Sequence, residues 1–173
     1  MIELLIPPEP WLHPDVEVRA SRIDGQGLFA RLPLDAGVVV VRLGGHVVGT
    51  DELRSLIAAA VADPDLPYVD TVTIAADRHL VLPSDTPVHH GNHSCDPTMW
   101  HVEQFAIATR HPVAAGAELT VDYATQSGLA GWSMTCACGT ALCRGVVTAE
   151  DWRRPELQER YAGHWLSLME GEG

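Results

Sequence analysis

Short alternations of apolar and polar residues run through the first two thirds of the chain, and this pattern is typical of half-buried β-strands. Residues 16–20 alternate valine and alanine with charged side chains. Residues 71–75 and 79–82 alternate on either side of a polar turn, which predicts a β-hairpin. Residues 38–43 and 46–48 flank two glycines and predict a second hairpin, built of buried strands.

Two segments show the spacing of an amphipathic helix. The first follows Thr50, which is expected to cap it, and ends at Asp63-Pro64. Its apolar stripe, which we expect to pack against the core, consists of Leu53, Leu56, Ile57, Ala60 and Val61. The second begins near Thr148 with a capping-box pattern, and its stripe consists of Leu157, Tyr161, Trp165 and Leu168.

Further strands are predicted at residues 104–109 and 117–121, on either side of a turn. Many short strands and only two helices predict a mainly β fold with a few short helices. A chain of 173 residues, 46% of them hydrophobic, is long enough for one domain with a sizeable core. Residues 1–15 are rich in proline, so we expect them to form an extended arm.

The charge of the chain limits its partners. A formal net charge of −12 argues against direct binding of nucleic acid or of an anionic membrane, because both favour basic surfaces. The same charge suits a basic partner, although an acidic surface can also serve solubility alone. The longest apolar run, residues 56–62, is too short to cross a bilayer, and no basic region precedes an apolar stretch at the N-terminus. We therefore expect a cytoplasmic protein.

All four cysteines fit one metal site. Cys136, Cys138 and Cys143 form a Cys-x-Cys-x4-Cys cluster whose members are too close in sequence to pair easily with each other. With Cys95 they supply four thiolates, the ligand set of a structural Zn²⁺, which would clamp the C-terminal segment to the loop at Asn92. Free cysteines of a reduced protein are the alternative. A disulfide framework is less expected, because a chain of this length can build its own core.

Four motifs follow one another along the chain. They are Asp24-Gly25-Gln26-Gly27-Leu28-Phe29-Ala30, Asn92-His93-Ser94-Cys95-Asp96-Pro97, Glu118-Leu119-Thr120-Val121-Asp122-Tyr123 and Cys136-Ala-Cys138-Gly-Thr-Ala-Leu-Cys143-Arg-Gly. A Gly-x-Gly by itself is more often just a turn. In this order, over roughly residues 16–145, the motifs resemble those of the SET-domain protein-lysine methyltransferases with a post-SET zinc segment.

The resemblance implies a division of the chain. An N-terminal arm at residues 1–15 would precede a SET domain at residues 16–125, a linker and post-SET zinc segment at residues 126–146, and a closing helix at residues 147–173. It also implies the SET arrangement of small curved sheets, in which the segments that contain Asn92 and Tyr123 cross in a knot-like manner.

The resemblance further implies an activity, the transfer of a methyl group from S-adenosyl-L-methionine to the side-chain amine of a protein lysine. The partner would then be a protein or peptide with an exposed lysine, of basic character. Tyr123 would orient the target amine and contact the transferring methyl. The residues that would line the cofactor are Gly25, Gly27, Leu28, Asn92 and His93.

The chain departs from the family pattern before the second motif. His89, His90 and Gly91 stand where many relatives carry an arginine and two apolar residues, so the usual role of that arginine near the cofactor's carboxylate is unsupported. This departure favours an alternative, a catalytically weak SET-like module that binds zinc and a peptide. A structural zinc protein without cofactor is a third reading.

Aromatic positions of the family are also changed. Val147 or Thr148 stands where many relatives carry an aromatic residue over the adenine, and Trp132 or Trp152 would have to replace it. Tyr68 is a candidate for an aromatic wall of the lysine channel. Four histidines lie close together in the sequence and suggest a second metal site: His89, His90, His93 and His101. They lack the helix-borne His-x-x-x-His pattern with a glutamate, so we expect hydrogen-bonded or solvated histidines instead.

Overall fold

The computed structural model describes residues 6–103 and 105–166. Within them the chain forms twelve short strands: β1 Trp11–Leu12, β2 Val16–Ala20, β3 Gln26–Ala30, β4 Val39–Arg42, β5 His46–Val48, β6 Thr71–Ala75, β7 Arg78–Val81, β8 Met99–Glu103, β9 Ala106–Thr109, β10 Glu118–Leu119, β11 Ser133–Thr135 and β12 Val146–Thr148. The two α-helices of these residues are α1 Thr50–Ala62 and α2 Pro155–Arg160. The predicted mainly β fold with a few short helices is confirmed.

The strands form four small antiparallel sheets. Their orders are β1-β4-β9-β8, β10-β3-β2, β5-β7-β6 and β11-β12. The main core draws buried side chains from the three larger sheets, among them Leu28, Val41, Ile74, Leu80, Met99 and Ile107. No helix among the described residues is both long and apolar enough to span a membrane.

Local pairing follows the alternation in the sequence. β2 has the predicted bounds and pairs with β3, and β6 pairs with β7 as the predicted hairpin. The hairpin predicted across residues 38–48 is wrong, because β4 and β5 lie in different sheets. The N-terminal arm crosses between them: the amide of Gly45 donates to the carbonyl of Pro7 at 2.9 Å, and a Cβ on Gly44 would lie 2.4 Å from the carbonyl carbon of Glu9. The glycine pair serves this close approach.

The described part of the predicted arm, residues 6–15, contains no helix and contributes β1 to the edge of the four-stranded sheet. Residues 1–5 of the predicted arm and Gln104 of the predicted strand lie outside the described residues. The arm is therefore part of a sheet and of the core boundary, where Leu12 packs against the main cluster.

Helix α1 has nearly the predicted length but not the predicted role. Gly49 occupies the cap position, and the carboxylate of Asp77 accepts from the amide of Thr50 at 2.9 Å, so the cap comes from another element. Only Leu53 of the helix is buried, whereas Val61 is 82% exposed. The prediction that the whole stripe packs in the core is wrong, because three of its five residues, Ile57, Ala60 and Val61, line an open cavity.

The closing helix is shorter than predicted. Thr148 ends β12, and α2 begins only at Pro155. A residue before proline avoids helical backbone angles, and Arg154 is extended with φ −72° and ψ 124°. The predicted stripe still meets in the structure, because Leu157, Tyr161 and Trp165 form a small buried cluster. Leu168, the last member of the stripe, lies outside the described residues.

Candidate active site and cysteine cluster

The loop between β2 and β3 is attached to the Asn92 segment by polar contacts. Nδ2 of Asn92 donates to the backbone carbonyls of Asp24 and Gln26, at 3.1 and 2.9 Å. It also lies 2.9 Å from Oε1 of Glu118, and the hydroxyl of Ser21 donates to the same carboxylate at 2.8 Å. Three of the four sequence motifs therefore meet at the side-chain amide of Asn92, and the sequence did not single out its partner Glu118.

This contact explains the second glycine of the loop. A Cβ on Gly27 would lie 2.2 Å from Oε1 of Glu118 and 3.2 Å from Nδ2 of Asn92. A side chain at this position would therefore meet the carboxylate of Glu118 first. Gly25 serves conformation, because its φ of +42° favours glycine and no described atom lies within 4 Å of a Cβ built there.

The Asn92 and Val121 segments run side by side. His93 forms a parallel bridge with Val121. The amide of Val121 donates to the carbonyl of Asn92, and the amide of Ser94 donates to the carbonyl of Val121, each at 3.1 Å. This pairing joins the two segments that the resemblance brings together, just before the turn that begins at Tyr123.

Tyr123 begins the short 3₁₀ turn Tyr123–Thr125, which Asp122 caps. Its hydroxyl donates to the carbonyl of Gly91 at 2.8 Å. Burial raises the pKa of Tyr123, and the negative charge of Asp70 adds to the rise, so the hydroxyl stays protonated at neutral pH. A phenol that donates to one carbonyl still has an oxygen that can accept from an incoming N–H group.

A cavity of about 520 Å³ opens beside Tyr123. Its walls are mostly apolar, and they include Leu28, Val41, Met99, Ile107 and Val121. Ile57 and Val61 of α1 and the 80% exposed Tyr68 also line it. Trp132 lines the cavity as well, whereas Trp152 packs on the cluster around Leu157. Of the two tryptophans considered as aromatic replacements, Trp132 is therefore the one placed at the cavity.

Besides two tyrosines, two titratable side chains stand among the described residues that line the cavity, Asp70 and His89. Nδ1 of His89 donates to Oδ2 of Asp70 at 2.8 Å, and the side chains are 14% and 28% exposed for His89 and Asp70. This hydrogen bond raises the pKa of His89, while burial opposes the rise. In the sequence, His89 was considered as a departure from the family's arginine and as one of four clustered histidines, and nothing in the pattern marked Asp70.

The four cysteines converge as predicted. Their Sγ atoms all lie within 4.8 Å of one another, and those of Cys95 and Cys136 are 3.8 Å apart. Tetrahedral Zn²⁺ with bonds of about 2.3 Å places its sulfur ligands about 3.8 Å apart. The donor set therefore fits zinc in both chemistry and spacing. Burial raises the pKa of the Cys95 and Cys136 thiols, so a cation at this point would be needed to hold them as thiolates.

His93 links the cysteine cluster to Tyr123. Its Nδ1 accepts from the backbone amide of Tyr123 at 3.1 Å, so the proton of the neutral ring lies on Nε2, which is 3.3 Å from Sγ of Cys95. Burial lowers the pKa of His93 to about 4, which keeps the ring neutral. The ring thus spans from a predicted metal ligand to the backbone of the predicted catalytic residue.

A buried ion-pair network closes the same side of the molecule. The guanidinium of Arg144 binds both carboxylate oxygens of Asp122 at 2.7 Å and Oδ2 of Asp151 at 2.8 Å. The hydroxyl of Tyr161 donates to Asp122 at 3.0 Å. Burial alone would raise the pKa of Asp122, but the hydrogen bonds and charge of Arg144 hold it below its usual value. The residue after the last cysteine therefore fastens the motif that ends in Tyr123.

The histidines do not gather into a second metal site. His89 is bonded to Asp70, and His101 lies 3.2 Å from the side-chain oxygen of Gln126. Among the described residues, the four cysteines are the one group of His, Cys, Asp and Glu side chains close enough together to hold an ion. His89, His93 and His101 each have a hydrogen-bond partner.

Comparison with known proteins gives a family match and several relatives. Residues 25–124 match the family described as SET domain. The chain is 31% identical over 163 residues to histone-lysine N-methyltransferase ATX2 of Arabidopsis thaliana, which covers 87% of this chain. It is 27% identical over 146 residues to histone-lysine N-methyltransferase SETD2 of Homo sapiens, and 30% identical over 144 residues to histone-lysine N-methyltransferase 2B of Homo sapiens.

These relatives are much longer proteins. The matched region is 14% of the first relative's length, 6% of the second's and 5% of the third's. The match covers 80% of this chain for the second relative and 75% for the third. The likeness therefore covers the domain that holds the four motifs and leaves the rest of those proteins without a counterpart here.

Proposed function

The chain belongs to the SET-domain family, and from this premise we propose that it transfers a methyl group from S-adenosyl-L-methionine to the side-chain amine of a protein lysine. One observation carries the proposal: Tyr123 lines a mostly apolar cavity of about 520 Å³ and follows the paired segments that bring the family's motifs together. The names of the relatives, all histone-lysine methyltransferases, support it.

Methyl transfer requires mainly that the protein position the two reactants and exclude water from the site. S-adenosyl-L-methionine, when bound, supplies a methyl carbon that is activated by a sulfonium. An apolar cavity disfavours the charged ammonium and so lowers the pKa of an entering lysine. The hydroxyl of Tyr123 donates its hydrogen bond to the carbonyl of Gly91. Its oxygen can therefore accept a hydrogen bond from the lysine amine and orient the lone pair of the amine nitrogen.

We assign the cofactor to the region where the glycine loop meets the second motif. Gly25, Gly27 and Leu28 are the loop residues in this proposal, and Asn92 and the backbone of His93 are their partners. Two observations support this assignment. Asn92 of the second motif contacts both the glycine loop and Glu118. Leu28 of the loop is buried and, like Gly91, lines the cavity. Trp132 replaces the aromatic residue that relatives place over the adenine.

We assign Zn²⁺ to Cys95, Cys136, Cys138 and Cys143, and propose that it orders the segment after Tyr123. The spacing of the four sulfurs supports this, as does the amide of Arg144, which donates to Sγ of Cys95 at 3.3 Å. Metal analysis of freshly purified, unchelated protein is expected to give one equivalent of zinc per chain. Less than half an equivalent contradicts the assignment. Because His93 joins the site to Tyr123, chelation is expected to weaken cofactor binding as well.

The substrate is proposed to be a basic protein segment with an exposed lysine. The net charge of −12 supports a basic partner, and the exposed stretch from Asp63 to Tyr68 beside the cavity carries two aspartates among apolar residues. The relatives are named for histones. The acidic charge and the apolar cavity of this chain require only a cationic segment in which an apolar residue neighbours the lysine.

A labelled-methyl assay tests the function. The protein is incubated with radiolabelled S-adenosyl-L-methionine and with matched peptides, one with a central lysine and one with arginine in its place, each in basic and acidic contexts. Labelling of the lysine peptide in the basic context is expected, with mass spectrometry to locate the added methyl. Cofactor affinity measured by calorimetry without any transfer to peptides or lysate would favour the binding-module alternative instead.

A further inference from the structure

We propose that His89, held by Asp70, accepts the proton that the substrate ammonium must lose before methyl transfer. This inference rests on the proposed function, because it gives that reaction its base. It assigns His89 a catalytic role and Asp70 a positioning role, at the place where the sequence departs most from the family pattern.

The first step of the argument is location. His89 and Asp70 both line the cavity that contains Tyr123. Asp70 lies close enough for its charge to act on the pKa of Tyr123, so the pair and the predicted amine-orienting hydroxyl share one space. The other titratable groups among the described lining residues are the phenols of Tyr68 and Tyr123, which do not ionise near neutral pH.

The second step is the state of the imidazole. A carboxylate can only accept, so the bond of 2.8 Å to Asp70 places a proton on Nδ1 of His89. Nε2 is then the one basic atom of the ring. It is buried and has no hydrogen-bond partner among the described residues, so its lone pair is unused. The backbone carbonyls of Pro83 and Ser84 add to the rise in the pKa of His89, which favours the protonated ring.

The third step is the proton balance. A lysine enters as an ammonium with a pKa near 10.4 in water and must become a neutral amine to attack. One N–H bond of the ammonium breaks, an Nε2–H bond forms on His89, and the lone pair stays on the amine nitrogen. The imidazolium is compensated by the Asp70 carboxylate, so the pair goes from one negative charge to none. The methylated product carries its own proton, and His89 returns its proton to solvent.

Equilibrium protonation gives the first test, which needs no methyl transfer. Histidine ring ¹⁵N signals are followed with and without n-butylamine as a probe, at a pH about one unit above the measured pKa of His89. The probe is expected to shift the His89 signal towards the imidazolium position and to leave that of His90 unchanged. Asp70→Asn should lower the pKa of His89 and abolish the shift. A His89 signal that the probe does not move, up to saturation or the solubility limit, overturns the proposal.

The pH profile of kcat/KM gives the second test. With a base in the cavity, the wild-type rate is expected to level off above the pKa of His89, because protonated lysine and neutral His89 are the reacting forms. His89→Gln should lose this plateau, rise about tenfold per pH unit towards the pKa of lysine, and be about a hundredfold slower at pH 7. His90→Gln, a neighbour that does not line the cavity, should keep the wild-type profile within twofold.

The outcomes separate the two proposals. Parallel profiles for wild type and His89→Gln, with normal melting temperature and zinc content, overturn the role of His89 and leave the function intact. A positive ¹⁵N result with a wild type that transfers no methyl at any pH removes the proposed reaction, while the pair stands as a proton acceptor for bound amines. If His89→Gln fails to fold, the ¹⁵N experiment alone decides the role of His89: the wild-type signal must shift with the probe, and the shift must be lost in Asp70→Asn.

Discussion

The cysteine side and the cavity side of the molecule are built by opposite means. The cysteine side, defined by the four cysteines, Arg144 and α2, is tied by buried charge: the side chains of Asp122, Arg144 and Asp151 are 0%, 6% and 7% exposed. The cavity side, defined by α1 and residues 63–70, presents apolar groups such as Val61 and Tyr68 that are about four fifths exposed (82% and 80%). One side holds the segment that contains Tyr123 in place, and the other leaves an open cavity.

The comparison predicts where stability resides. Arg144→Ala would leave the carboxylate of Asp122 buried without its partner, which typically costs about 3 to 5 kcal/mol. Arg153→Ala is the matched control, because its ion pair with Glu150 is 64% and 55% exposed and such pairs contribute about 0 to 1 kcal/mol. Denaturant unfolding with zinc content monitored measures both. Equal stability of the two variants would contradict the division between the sides.

The second largest effect is expected on catalysis rather than on stability. Tyr123→Phe keeps the apolar contacts of the ring with Trp132 and removes one positioned hydroxyl. The single-turnover rate should fall by roughly ten- to a thousandfold, or about 1.4 to 4 kcal/mol in the barrier. Zinc content and most cofactor affinity should remain.

Melting temperature serves as the control for Tyr123→Phe. Because the hydroxyl also donates to Gly91, a small loss of stability, about 1 kcal/mol, is expected. A variant with a near-normal rate would remove Tyr123 from the mechanism.

The glycine loop is expected to respond like the cysteine side, because polar contacts hold it. Gly27→Ala forces the new methyl into Glu118, at a distance of 2.2 Å from Oε1, and should cost about 1 to 3 kcal/mol and weaken cofactor binding. In the background of Glu118→Ala, the same change should cost much less. A double-mutant cycle measured by thermal unfolding checks this coupling. Independent, additive effects would show that another contact requires the glycine.

The smallest stability change is expected on the cavity side. Val61→Ser replaces an exposed apolar residue by one of similar helix propensity, so unfolding should change by no more than about 0.5 kcal/mol. The KM for a peptide substrate should nevertheless rise several-fold, because apolar area at the cavity is lost. Ala58→Ser, on the same helix but away from the cavity, is the control for KM. A KM equal in both variants would argue that α1 does not contact substrate.

Short-range pattern predicted part of the fold well. The alternation at residues 16–20 and the β6–β7 hairpin needed only neighbours in sequence, and the cysteine spacing needed only ligand chemistry. Sheet membership could not be predicted in this way, because β4 and β5 are separated by an arm that arrives from Pro7 and Glu9. Periodicity in α1 showed an apolar face but could not tell a core from a cavity wall.

The site was predicted where a motif marks it. Asn92, His93 and Tyr123 lie together as the order of motifs suggested, although their roles stay predictions until tested. The pair Asp70–His89 was missed, because its members are 19 residues apart and only the fold brings them within 2.8 Å. The contact between Glu118 and Gly27 was missed for the same reason, since no local pattern shows which side chain fills the space left by a glycine.

The pairing of β10 with β3 has a consequence for the order of folding. Glu118 faces Phe29, 89 residues earlier in the chain, whereas the partners in β2–β3, β6–β7 and β8–β9 are neighbours in sequence. Closing a long loop is slow, so these hairpins should form first and the pairing of the first and third motifs last. Pulse-labelled hydrogen exchange is expected to protect the amide of Leu28, which faces Leu119, later than that of Leu80. A chain arrested on the way would then contain its hairpins and its thiols but not the cavity beside Tyr123.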